Sequence, residues 1–143
     1  MKKIGFLMGA LVAMSFGFIS CNQQKTVSEE TQVTETLHNS QNSLDWAGTY
    51  AGVIPCANCE GINVRLTLDS YGTYTLTMQY IGKGEDVFST SGDFAWNDAG
   101  SQITLDSDST QRYKVGEGML FMLDMDGNII TGDLADMYIL TKQ

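Results

Sequence analysis

From Gly48 onward, apolar side chains recur at every second position rather than every third or fourth. Ile62, Val64, Leu66 and Leu68 alternate with Asn63, Arg65, Thr67 and Asp69; Tyr74, Leu76, Met78 and Tyr80 alternate with Thr73, Thr75, Thr77 and Gln79. A period of two turns one set of side chains toward a core and the other toward water, so each run predicts a strand with one buried face. Asp69-Ser70-Tyr71-Gly72 between them carries turn chemistry, and the two runs predict a hairpin. Further strands are predicted over 48–54, 87–96, 103–105, 112–115, 119–123 and 137–141, with Gly, Asn and Asp between them. The stretch 128–136 reads as loop, and nothing after Gly48 carries a helical apolar stripe.

About eight short antiparallel strands in roughly 100 residues point to an all-β domain, a closed barrel or a sandwich. Sequential hairpins without long crossovers favour the up-and-down barrel, which leaves no sheet edge exposed. Gly92, inside the fourth strand, suits a bend where a barrel turns a corner. Tyr74, Tyr80, Phe88, Phe94 and Trp96 are placed to line the interior. An eight-stranded barrel is just wide enough for such side chains either to fill it or to frame one small apolar ligand.

The pattern is different before Gly48. Met1-Lys2-Lys3 is a short positive segment, and residues 4–19 form an apolar run broken by Gly5, Gly9, Ser15 and Gly17. That run is shorter than the about 20 residues a membrane span needs and has the form of a cleavable signal peptide. It ends in Phe18-Ile19-Ser20-Cys21, which resembles the lipobox of bacterial lipoprotein signal peptides. The resemblance implies cleavage before Cys21, leaving 1–20 as the leader and Cys21 as a diacylated, N-acylated (palmitate-type) membrane anchor; two or more acyl chains hold a protein stably. Residues 22–44 are Gln, Thr, Ser, Asn and Glu with few apolar side chains, and predict a flexible linker with a reach on the order of 30 Å. The only histidine, His38, falls in this linker without partner ligands at a useful spacing.

Charge narrows the partners. The formal charge is −9, and without Lys2 and Lys3 the chain carries 6 basic against 17 acidic residues, a charge of −11. Nucleic acid is not an expected partner, and a basic patch cannot bind anionic lipid here, so membrane attachment rests on the acylated Cys21.

The concentration of unusual residues is at Pro55-Cys56-Ala57-Asn58-Cys59-Glu60-Gly61, which holds the only proline and two of the three cysteines. Together with Gly48-Thr49-Tyr50-Ala51-Gly52-Val53-Ile54 before it and Ile62 and Leu66-Thr67-Leu68 after it, this stretch resembles the N-terminal domain of the NlpE family. The similarity continues through Gly92-Asp93-Phe94-Ala95-Trp96, Leu120-Phe121-Met122-Leu123-Asp124, Gly127, Ile130 and Tyr138-Ile139-Leu140, and so covers 45–143. The resemblance implies a lipocalin-like β-barrel on an outer-membrane lipoprotein of the cell envelope, facing periplasm or surface. It further implies roles in copper resistance, adhesion sensing and envelope stress, with an envelope sensor protein as partner. The founding type has a second, OB-fold-like domain with its own cysteines, and this chain ends at Gln143 before any such domain. Signalling that depends on it is therefore not expected to carry over; what carries over by position is Cys56 and Cys59.

Thiols at i and i+3 can close a disulfide, bind a soft metal or exchange with other thiols. An envelope compartment oxidises thiols, which favours a Cys56–Cys59 disulfide worth about 2 kcal/mol by loop entropy. Reduced, the two thiolates could hold Cu(I) as a cofactor, with Met78, Met119, Met122, Met125 and Met137 as thioether candidates or plain core filler. Zinc is disfavoured because a structural site wants four Cys or His ligands, and 45–143 offers two cysteines and no histidine. Thioredoxin-like chemistry is disfavoured because a strand rather than a helix follows the pair. Asp124-Met125-Asp126-Gly127-Asn128 fails the calcium-loop register and reads as a turn. No histidine stands beside any serine in the domain, so no hydrolytic constellation is present and a non-enzymatic binding or sensing module is expected. A lipocalin-like carrier and a ligand-free structural or adhesion lipoprotein are the alternatives.

Overall fold

The computed structural model describes residues 38–106 and 111–143. The predicted leader, Cys21 and the linker as far as Leu37 lie outside the described residues. The elements run in order as α1 (Ser40–Ser43), β1 (Gly48–Ile54), β2 (Ile62–Leu68), β3 (Thr73–Tyr80), β4 (Val87–Trp96), β5 (Gln102–Leu105), β6 (Arg112–Gly116), β7 (Met119–Met122), a 3-10 turn (Ala135–Tyr138) and β8 (Ile139–Lys142). Every strand pairs antiparallel with the next, and β8 returns to β1, so the sheet closes as an up-and-down barrel.

Register follows the period-two pattern. Tyr50, Leu66 and Leu76 stand opposite one another across β1, β2 and β3, and all three are buried; Ala51, Arg65 and Thr77 form the next row on the outer face. Ile103, Leu105, Tyr113, Val115, Leu120 and Leu140 complete the interior from the shorter strands. With apolar side chains inside and Asn63, Arg65, Thr73 and Thr75 exposed outside, the barrel has the opposite polarity to a membrane-spanning one, whose apolar band faces lipid.

Turn chemistry fixes the ends of the hairpins. Asp69 Oδ1 accepts from the Tyr71 N–H at 2.8 Å, and Gly72 takes φ 90°, a left-handed conformation open to glycine. The last strand begins two residues later than the apolar pattern suggests, because Met137 and Tyr138 belong to the 3-10 turn that packs onto β1. A Cβ at Gly92 would overlap the Asp106 carboxylate, and this is the place where β4 stops pairing with β5.

The two ends of the barrel differ. One end, holding the β2–β3, β4–β5 and β6–β7 turns, is plugged by residues 38–46, which fell on the linker side of the expected boundary as far as Leu44. Asn39 and Asn42 cap α1 reciprocally, Ser40 Oγ donates to Val115 O at 2.7 Å, and the Gln41 N–H donates to Gly100 O at 2.9 Å. Trp46 then packs edge-on against Phe94 and Trp96, at centroid distances of 5.8 and 5.4 Å. The other end carries the β1–β2 turn, which contains Cys56 and Cys59.

Candidate functional site

β1 ends at Ile54 because Pro55 has no N–H to continue the ladder, and β2 resumes opposite it at Ile62. The seven residues between form a loop that returns through Gly61, where a Cβ would stand 2.7 Å from Val53 Cγ1. Inside the loop Cys56 and Cys59 are joined as a disulfide with their Cα atoms 5.3 Å apart. Both are half-buried, while Ala57 and Asn58 at the tip are exposed. The Gly61 carbonyl accepts the Ile81 N–H at 2.9 Å, and Cys59 Sγ lies 3.2 Å from the same oxygen. The cysteine loop is thus hydrogen-bonded to the β3–β4 turn through the residue that its second sulfur touches.

Between the loop and that turn lies an open cleft of about 440 Å³ lined by Asn58, Cys59, Glu60, Ile81, Gly82 and Lys83. Glu60 and Lys83 put one charge of each sign beside the disulfide. A second, larger depression of about 520 Å³ lies on the outer face of β1–β4, with Val53, Asn63, Arg65, Gln79 and Val87 among its walls. Neither is inside the barrel, whose axis is filled by side chains such as Tyr50, Leu66, Ile103, Tyr113 and Leu140, each at most 1% exposed.

The five aromatics expected to line the interior separate into two groups. Tyr74 and Phe94 are buried in the core, and Trp96 sits half-buried under Trp46 at the plugged end. Tyr80 and Phe88 form an edge-to-face pair at 5.8 Å at the cysteine end, where they are 36% and 55% exposed. Burial, followed by the neighbouring Tyr74, pushes the Tyr113 phenol well above its ordinary value, so it stays protonated within the core.

The structure brings Cys56 and Cys59 together but spreads the methionines. Met119 opens β7 beside Gly118, at the opposite end of the barrel; Met122 and Met78 pack on the core; Met125 is 78% exposed in its own turn. Among the described residues no three His, Cys, Asp or Glu side chains converge as a metal cage. As a disulfide the pair offers no thiolate. After reduction both sulfurs still belong to one short turn with exposed flanks, an arrangement that fits a single soft ion. Asp124 holds a turn rather than a cation: its Oδ1 accepts the Asp126 and Asn128 N–H groups at 2.9 and 2.8 Å. Those backbone donors, Asn128 first, hold its carboxyl below the ordinary value.

Two features had no clear reading in the sequence. The plug formed by Asn39, Ser40 and Trp46 left only a faint trace, the Asn-x-x-Asn capping spacing, in otherwise linker-like composition. The contact between Gly61 and Ile81 continues the β2–β3 register one pair past Ile62–Tyr80; the predicted hairpin implied the pairing, and what the sequence left unread is that it ties the cysteine loop to the β3–β4 turn.

A sequence profile described as the NlpE N-terminal domain matches residues 50–133. The lipoprotein NlpE of Escherichia coli strain K12 is 30% identical over 134 residues, covering 91% of this chain and 54% of that protein. The chain therefore spans about half the length of this curated relative. A crystal structure of a candidate lipoprotein from Shewanella oneidensis superposes with a TM-score of 0.69 at 50% identity, covering 73% of this chain and 95% of that one. The crystal structure of the Cpx pathway activator NlpE from Escherichia coli superposes with a TM-score of 0.51 at 31% identity, covering 60% of this chain and 46% of that one.

Proposed function

The chain belongs to the NlpE family, and from that membership we propose that it is an outer-membrane lipoprotein, anchored through acylated Cys21, that serves copper tolerance or envelope-stress sensing through the Cys56–Cys59 turn. One observation carries the reading: the disulfide sits in a half-exposed turn coupled by the Gly61–Ile81 hydrogen bond to a neighbouring hairpin. A four-residue ring adds only about 2 kcal/mol to folding, so a purely stabilising role is a weak reason for exposing it. In the proposed cycle a dithiol donor of the envelope reduces the disulfide by exchange, giving up two electrons and two protons. Cu(I), a soft acid, would then displace the two thiol protons to solvent and bind the resulting thiolates. A sensor protein of the envelope would read the change. That the relative is a Cpx pathway activator supports a signalling context.

The test is titration of anaerobically reduced protein with Cu(I) against a competing chelator. About one ion should bind per chain, and Cys56→Ser/Cys59→Ser should lose it. Equal binding by the double variant removes the copper role. In cells, deletion of the protein should lower copper tolerance or blunt an envelope-stress reporter. The carrier reading has less support, because fully buried side chains occupy the barrel axis.

A further inference from the structure

The barrel closes, but its β4–β5 seam is short. β4 pairs with β3 over seven residues, Val87 through Asp93, and with β5 only over Phe94–Trp96. The direction of the backbone groups on the remainder follows from two hydrogen bonds. The Phe94 N–H donates toward β3, to Gly72 O at 2.9 Å, and Asp93 O accepts from the Asp106 N–H on the β5 side at 3.0 Å. Alternate residues of a strand point their N–H and C=O to opposite sides, so Val87, Ser89 and Ser91 present theirs to the β5 side. Among the described residues no strand pairs with them there, and Val87 through Ser91 are all exposed.

Edges of this kind are normally blunted by lysine, proline or a covering element, because an open row of donors and acceptors templates another strand. Val87-Phe88-Ser89-Thr90-Ser91 has no proline and no basic residue. It also places apolar surface beside the open row, with Val87 59% and Phe88 55% exposed and Tyr80 against the Phe88 ring. Charge selects among occupants. From Gly84 to Gln111 the sequence has six acidic residues and no Lys or Arg, with Glu85 and Asp86 at one end of the edge and Asp93 and Asp106 at the other. A second copy would set those carboxylates against each other on a chain of charge −9. The chain's own 22–44 carries Glu29, Glu30 and Glu35 against Lys25 alone and is disfavoured for the same reason.

We propose that the Val87–Ser91 edge of β4 is a docking site for an extended, basic segment of a partner protein, which adds as a strand and lays its apolar side chains beside Phe88 on one face of the sheet. The site is separate from the cysteine chemistry and does not depend on it.

The experiment uses the full chain in detergent micelles and, as probe, a synthetic peptide of alternating valine and threonine with lysines at both ends. In the free protein the amides of Val87, Ser89 and Ser91 should exchange with solvent faster than those of Phe88 and Thr90, which bond to β3. Adding the peptide at low salt should protect those same three amides. A glutamate-ended twin, and a backbone N-methylated twin that cannot form a ladder, should each bind about tenfold or more weakly. Ser89→Pro removes an outward donor without breaking the β3 ladder and should weaken binding by a similar factor at an unchanged unfolding midpoint. Protection of Val87, Ser89 and Ser91 in the free protein overturns the proposal. So does equal binding of the N-methylated or the acidic peptide, which needs no protein variant to observe.

Discussion

At Asp124 a single side chain decides the conformation of a turn. Its carboxylate gathers two backbone N–H groups, while its own N–H donates to Asn128 O at 2.9 Å, and the turn is closed by a bridge between Leu123 and Ile129. The same hydrogen bonds hold its folded-state pKa below the ordinary 3.8, so the carboxylate form is favoured by folding. The stabilisation is complete above the unfolded value and is lost as pH falls through the depressed folded one. Asp124→Ala should therefore lower the unfolding midpoint at neutral pH. The gap from wild type should close as unfolding is followed into acid below the carboxylate range. A gap independent of pH would mean that the side chain acts through packing and not through its charge.

Among the elements, the seam between β1 and β8 is the most sensitive to a small change. Those strands share only the pairs Tyr50–Lys142 and Ala51–Thr141, and Gly52 lets them stay close beyond that point. A Cβ at Gly52 would stand 2.9 Å from both Ile139 O and Leu140 Cδ2, and the first of these is backbone that cannot rotate away. Gly52→Ala should cost about 1–3 kcal/mol in urea unfolding even though alanine is the better strand former. Gly92→Ala should cost less, because the atom it meets ends an exposed Asp106 side chain free to turn aside. The period-two alternation made β1 to β4 readable to within a residue. It was less informative after Leu123, where the Ala135–Tyr138 turn takes apolar Met137 and Tyr138 out of the final strand.

For the molecule as a whole, the plugged end and the cysteine end are unequal in packing. Trp46 ties residues 38–46 to the barrel: its Nε1–H donates to Gln41 O at 2.9 Å, its carbonyl accepts the Tyr50 hydroxyl at 2.7 Å, and its ring meets Phe94 and Trp96. The Lys142–Asp45 ion pair at 2.9 Å closes the same end, but its Asp45 carboxylate is 93% exposed, so water screens it and it adds little. Trp46→Ala should cost about 3 kcal/mol, the low end for Trp→Ala because the ring is half-buried, and should open residues 38–44 to proteolysis. Fluorescence of the remaining Trp96 reads the first effect. The second distinguishes a docked segment from a free linker.

Period-two burial is a local property written residue by residue, so the strands, their up-and-down order and the inward rows of β2 and β3, Val64, Leu66 and Leu68 beside Tyr74 and Leu76, were already legible in the sequence. The sequence by itself also determined the Cys56-x-x-Cys59 pair and the family that carries it, since the fixed Tyr, Gly and Pro positions before the pair are contiguous. Tertiary structure alone decided what is next to what across hairpins. The Trp46 plug joins residues far apart in the chain, and the separation of Tyr80 and Phe88 from the other aromatics and the short β4–β5 seam depend on where each strand starts and stops relative to its neighbours. Such contacts arise from the stagger of unequal strands around a closed barrel. That stagger is set jointly by all eight strands, so no single segment records it.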